Sequence, residues 1–172
     1  MKEHKQITFE YKKFYDNSET LRHAEPYVLK EFKNRWYFVA NDRSDNRIKT
    51  FALDRLSNLK ITDVRFSEPE DFDANEYFKN CFGIVRPENA VAEEVKLSFP
   101  PKQGKYIKSL PLHNTQKIII DNKDEFVITL QIFITFDFIQ ELLQFGDEVK
   151  VVKPDSLVKT IKQIHKKALK RY

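Results

Sequence analysis

The chain has 172 residues, 41% hydrophobic and 13% aromatic, which suffices for one ordinary domain or two small ones and excludes intrinsic disorder. Three scattered glycines and a single cysteine, Cys81, exclude a glycine-rich phosphate loop and an intramolecular disulfide. The net charge of +4 conceals a pattern: residues 1–65 carry +4, 66–94 carry −6, 95–154 carry +1 and 155–172 carry +5. No apolar run approaches the ~18–20 residues of a membrane helix, and the start MKEHKQ lacks an apolar signal core. The expectation is a soluble protein of a reducing, cytoplasmic compartment, with no membrane partner.

In the first part, Ile7, Phe9 and Tyr11 alternate with polar residues, the period-2 signature of a half-buried strand. Tyr15 to Glu19 is turn chemistry. A second strand is predicted over Ala24 to Lys30, where Pro26 implies an edge or a bulge. A third covers Arg35 to Ala40, a fourth Arg47 to Leu53 and a fifth Leu59 to Thr62. Five short strands in about 65 residues suit a small SH3/Sm-like five-stranded β-barrel over residues 1–66. Residues 67–92, acidic from Ser67-Glu68-Pro69-Glu70-Asp71 onward, read as a solvated linker with a short helix over Ala74 to Asn80 and a few pinning aromatics.

From residue 93 the predicted order is strand (Val95–Phe99), helix (102–110), strand (Lys117–Asp121), strand (Glu125–Thr135), helix around Phe138–Leu143 and strand (Glu148–Lys153). That order, βαββαβ, is ferredoxin-like, so the fold class is mixed β and α+β with the second domain over 93–172. Gly146 sits where a helix is followed by a left-handed residue. A C-terminal helix capped by Asp155 or Ser156 buries Leu157, Ile161, Ile164 and Ala168. Its lysines can meet phosphate, but a solvated basic face is the ordinary outcome.

Six of the eight arginines fall in the first 65 residues, and arginine suits two-pronged recognition of phosphate or carboxylate. Strand alternation assigns Trp36 to packing with Phe38 and Ala40, and Tyr37 to the other side with Arg35 and Val39, where it either meets a ligand or fills an interface. Arg47, Lys49, Phe51 and Leu53 share one side of the fourth strand, two cations followed by apolar groups. An anionic, partly planar ligand would pair with the cations and stack on the ring, and Arg22 and Arg55 join if the barrel closes. The bland alternative is a solvated face, with Asp54-Arg55 a local ion pair. The histidines His4, His23, His113 and His165 lack partners at metal-ligand spacing, so no metal or cofactor is expected. No carboxylate pair or activated nucleophile emerges, and the expectation is that the chain is not an enzyme.

The stretch Arg35-Trp36-Tyr37-Phe38-Val39-Ala40, followed by Thr50-Phe51-Ala52-Leu53-Asp54-Arg55-Leu56, resembles the WYL domain of bacterial transcriptional regulators. Tyr11, and Arg22 ahead of Pro26, fit the same ordered pattern. Phe38 stands where the family has Leu, and Ala52 where it has Arg, so a pocket cation is missing or supplied by Lys49 or Arg47. Leu112-His113-Asn114-Thr115-Gln116 and Leu143-Gln144-Phe145-Gly146-Asp147 are similar to the WCX extension that follows many WYL domains. The resemblance implies the effector-sensing and dimerisation region of a regulator whose N-terminal helix-turn-helix, the DNA-binding part, is not seen here. The implied ligand is an anionic effector, a nucleotide or single-stranded DNA, held by Arg22, Tyr37, Arg47, Lys49 and Arg55, and the implied assembly is a homodimer. The alternative is a freestanding nucleic-acid-binding protein.

Overall fold

The structure is a computed structural model that describes residues 3–14, 17–67 and 69–172. Met1-Lys2, Tyr15 and Asp16 of the expected turn, and Glu68 of the acidic stretch lie outside the described residues. The described part holds two antiparallel sheets and four helices, and the chain divides into two compact units, Met1–Glu76 and Tyr77–Tyr172.

The first unit contains β1 (Lys5–Lys12), β2 (Glu19–Phe32), β3 (Arg35–Asp42), β4 (Arg47–Ala52), a 3-10 turn (Leu53–Arg55) and β5 (Leu56–Arg65). The strands pair in the order β4-β3-β2-β1-β5. No β4–β5 ladder closes a ring among the described residues, so the pairings describe an open five-stranded sheet. The fourth strand stops at Ala52 rather than Leu53 because the 3-10 turn redirects the chain there. The second and fifth strands are longer than predicted, since their polar ends still pair with β1 and β3.

Pro26 does mark a bulge: the β2–β3 register shifts between Pro26 and Val28, sparing the ladder a donor that proline lacks. Lys33 and Asn34 form the two-residue β2–β3 connection with both φ positive, at +49° and +61°, the backbone that matches strand twist. Phe9, Tyr11, Ala24, Phe38, Ala40 and Phe51 make the core of this unit. Its rings meet mostly edge-to-face, with Phe38 and Phe51 stacked at 5.3 Å.

One expectation is overturned here. Trp36 has the parity of Phe38 and Ala40 but is 52% exposed, because it stands two residues from the hairpin turn, past the margin of the ring cluster. As the sole tryptophan it gives a direct check. Its fluorescence is expected to be solvent-like and readily quenched by iodide, and Trp36→Ala should alter stability by less than about 0.5 kcal/mol. A blue-shifted, protected emission would contradict this placement.

The second unit contains β6 (Glu93–Phe99), α2 (Pro101–Ser109), β7 (Lys117–Asp121), β8 (Phe126–Ile132), α3 (Phe136–Gln144), β9 (Lys150–Lys153) and α4 (Asp155–Leu169), while the short α1 (Ala74–Phe78) straddles the division. Its sheet order is β7-β8-β6-β9. Val95, Leu97 and Phe99 of β6 and Phe126, Ile128, Leu130 and Ile132 of β8 bury one face under Ile107, Phe138, Leu142, Leu157 and Ile161 from the helices. The apolar stripe of α4 ends sooner than expected, because Ala168 is exposed beyond the core. Neither Asp155 nor Ser156 caps α4: Pro154 holds that position, without a side-chain bond. Gly146 follows α3 with φ +59°, as its place in the sequence implied.

The residues expected as a solvated linker divide between the units. Phe66 and Phe72 lie against Tyr27 in the first unit. In the second, Cys81 is buried, Phe82 packs on Phe138, and the amide of Phe133 donates to the Asn80 carbonyl. His113 secures this segment through Nε2, 3.2 Å from the Cys81 carbonyl, while its Nδ1 lies 2.8 Å from the Thr115 hydroxyl. It is therefore a satisfied connector residue.

Gly104 carries α2 directly onto β8. A Cβ there would lie 2.5 Å from Cβ and Cγ of Phe126, which is 1% exposed and has no room to retreat. Gly104→Ala is expected to cost about 1–3 kcal/mol, seen as a melting temperature several degrees lower. An unchanged melting temperature would refute the close packing.

Candidate functional site

Cross-strand partners share a face of a sheet, so the ladder register decides which of the predicted residues can act together. Phe9 pairs with Arg22, Ala24 with Asp42, Asp42 with Arg47, Ala40 with Lys49 and Phe38 with Phe51. Arg22, Arg47 and Lys49 therefore belong to the same face as the ring cluster. The sheet offers one surface that is aromatic at its middle and cationic along one side.

At that side stands Asp42, the last residue of β3 and two positions beyond the strand predicted from the sequence. Its side chain is fully buried, and all its acceptor positions are used. Oδ2 accepts from Arg22 Nη1 at 2.9 Å and from Lys49 Nζ at 2.8 Å. Oδ1 accepts from the Ser44 hydroxyl at 2.7 Å and from the Ser44 amide at 3.0 Å. Burial alone would raise this carboxyl, but the Lys49 and Ser44 donors and the ammonium charge outweigh it and hold it down at about 2. Burial likewise opposes the Lys49 charge, while Asp42 and Asp45 raise its pKa above the ordinary lysine value. Lys49 reaches Asp45 Oδ2 at 2.7 Å, one helical-turn spacing away in sequence but across the β3–β4 turn in space.

Arg55 comes to the same region by another route. The 3-10 turn after β4 lays its guanidinium 4.7 Å from the Tyr11 ring centre and 4.4 Å from that of Phe14, and Nε donates to the Lys12 carbonyl at 2.9 Å. Asp54 pairs with Arg35 at 3.6 Å, and Arg55 makes this stack in place of the local Asp54–Arg55 pair of the alternative reading. Tyr11 is mostly buried, and its hydroxyl accepts from the Ala52 amide. Its cross-strand partner Thr20 accepts from Arg22 Nε at 3.1 Å, which ties the Arg55 stack to the Asp42 cluster through neighbouring residues.

Two expectations change. Tyr37 pairs with Lys30 and Ala52 and lies on the face opposite Phe38 and Lys49, so it is not brought to the cations. Phe51 is 4% exposed inside the ring cluster, and Leu53 has left the strand, so the row of cations is not followed by an open stacking surface on β4. Beside Arg55 an accessible ring is supplied instead by Phe14, 65% exposed. The Asx-type spacing of Asp42 and Ser44 is the one sequence signal that pointed to the missed carboxylate.

The second unit has a groove of ≈ 490 Å³ between β9 and α4, lined by Val149, Val151, Val158 and Ile161 with Lys150, Lys162 and His165 at its rim. None of the predicted site residues belongs to it. No described helix is long and apolar enough to cross a membrane.

Family models described as WYL domain and WCX domain match residues 1–61 and 92–169. No curated protein sequence matches the chain. Among solved structures, proteasome accessory factor B/C (PafBC) of Arthrobacter aurescens is 21% identical with a TM-score of 0.41, the match covering 92% of this chain and 24% of that one. A CRISPR Cas-related protein is 14% identical with a TM-score of 0.58, covering 99% and 48% respectively, a likeness of fold alone. The chain thus spans about a quarter and about half the length of these two proteins.

Proposed function

The chain belongs to the WYL family, with a WCX domain after its WYL domain, and from that premise we propose that it is the effector-sensing region of a bacterial transcriptional regulator. In this reading the first unit binds an anionic ligand, a nucleotide or single-stranded nucleic acid, and performs no chemistry on it. The observation that carries the reading is the shared face of Arg22, Arg47 and Lys49 beside the ring cluster, with Arg55 stacked on Tyr11 and Phe14 at its margin. Phosphates would meet the cations while a base rests against Phe14 and the Arg55 plane.

The finer fold assignment belongs to the same proposal. A meander whose fifth strand returns to β1 supports an SH3/Sm-like unit, and the β-α-β-β-α-β order with β6 between β8 and β9 supports a ferredoxin-like one. We assign homodimer formation to the second unit. Binding would regulate transcription by favouring one arrangement of a DNA-reading domain over another.

The test is a fluorescence-anisotropy titration with labelled oligothymidylate at low and moderate salt. Wild type is expected to bind saturably, more weakly as salt rises, and Arg55→Ala about five- to tenfold more weakly with its circular dichroism unchanged. Equal binding by wild type and Arg55→Ala, with Lys162→Ala reducing it instead, would move the contact to α4 and favour a plain nucleic-acid-binding protein.

A further inference from the structure

The Asp42 cluster is electrically balanced: Arg22 and Lys49 face Asp42 and Asp45, so its cations already hold carboxylates. The two acids are not equivalent. Asp42 is fully buried and accepts four hydrogen bonds, from Arg22, Lys49 and both donors of Ser44. Withdrawing it would strand two cations in a partly desolvated place, so it stays. Asp45 has a 39% exposed side chain and a single lysine contact at 2.7 Å. Among the described residues the other hydrogen bond to its carboxylate is from the Arg47 amide to Oδ1 at 3.3 Å. A half-exposed ion pair of this kind is weak, and water or another anion can replace the carboxylate cheaply.

We infer that the phosphate subsite of the first unit is the position now held by the Asp45 carboxylate on Lys49, and that Asp45 is a built-in competitor for it. The inference rests on the anion-binding reading above and adds where the anion sits and what it displaces. A phosphate oxygen placed there gains the Lys49 ammonium, with Arg47 two positions earlier on the same face of β4. Asp42 meanwhile keeps Arg22 and Lys49 aimed at the site. Asp45 sets a threshold: a lone weak carboxylate does not displace it, whereas a terminal nucleotide phosphate, with more charge and three acceptor oxygens, or a strand whose neighbouring phosphates also meet cations of this face, does. The source of the phosphate is either a free nucleotide or the backbone of a single strand, and both share this chemistry.

The experiment compares wild type, Asp45→Asn and Asp63→Asn by anisotropy with labelled oligothymidylate, with thymidine monophosphate as competitor. Asp45→Asn keeps an oxygen for the Arg47 amide, so the turn is preserved. Asp63 is a fully exposed acid of β5 whose partner is Lys5, and it controls for the general loss of one negative charge. Asp45→Asn is expected to bind about two- to fivefold more tightly at low salt, because the phosphate no longer has to displace a carboxylate from Lys49. Asp63→Asn should match wild type. Tighter competition by the mononucleotide in Asp45→Asn identifies the free nucleotide as sufficient, and tightening for the oligomer alone identifies the backbone; either supports the subsite. Binding by wild type with Asp45→Asn no tighter than Asp63→Asn overturns the inference and leaves the anion-binding reading standing. Failure of all three proteins to bind either probe at low salt overturns both.

Discussion

Asp42→Asn is expected to destabilise the first unit by roughly 2–3 kcal/mol although it removes no volume. The amide retains the shape and an oxygen for Ser44, but it leaves Arg22, 17% exposed, and Lys49, 31% exposed, without the charge both were placed to meet. The same substitution changes the acid limb of stability. Asp42 titrates at about 2 in the folded chain against an ordinary 3.8, a depressed value. The unfolded state therefore binds the proton first as pH falls, and the contribution of this carboxylate is complete above about pH 4 and disappears toward pH 2. Its size is about 2 kcal/mol. Urea denaturation of wild type should show that loss between pH 4 and 2, and Asp42→Asn should lack this component. Parallel acid profiles for the two proteins would show that Asp42 is not the charged centre of the cluster.

Phe9→Ala should have the larger effect on folding, about 3–5 kcal/mol. Phe9 is fully buried and its ring meets those of Tyr11, Phe38 and Phe51 at 6.2, 5.6 and 5.2 Å. The three rings that meet Phe9 edge-on would be left around a void that small rotations cannot fill, so the cavity cost adds to the lost burial. Because each unit has its own core, hydrogen exchange should lose protection in β1–β5 while β6 and β8 keep theirs. Uniform loss across both sheets would contradict two separately cored units. Binding of an anion should also fall, since Phe9 stands directly opposite Arg22.

The fold was legible where a residue's own neighbours decide its state. Ile7, Phe9 and Tyr11 announce β1 because one face of that strand is buried and the other is not, and Pro26 announces a bulge because it cannot donate. Trp36 misled because alternation gives a side but not how far along the strand the core extends. The expected linker was legible in part: its described acidic residues are exposed and Phe82 packs as a pinning aromatic, while the burial of Cys81 has no signal in the composition.

Half of the geometry of the candidate site was legible. Arg22, Arg47 and Lys49 stood out as cations among strand residues, and the ladder brings them to one face. Tyr37 fell on the other face because that relation depends on the β3–β4 register, which a one-residue slip would invert and which no local pattern states. Asp42 stayed hidden because an Asp in Asn41-Asp42-Arg43-Ser44-Asp45 looks like turn chemistry. Only the pairing of Ala24 with Asp42 shows it pointing to the ring side.

The most direct measurement is an amide chemical-shift titration of the isotope-labelled chain with unlabelled oligothymidylate at low salt. Shifts concentrated at residues 42–49, at Tyr11 to Phe14 and at Arg55 are the predicted result, with β6 and β8 unchanged. Shifts confined to α4 and the groove beside β9, or none at all, would contradict an anion site on the ring face of the first unit.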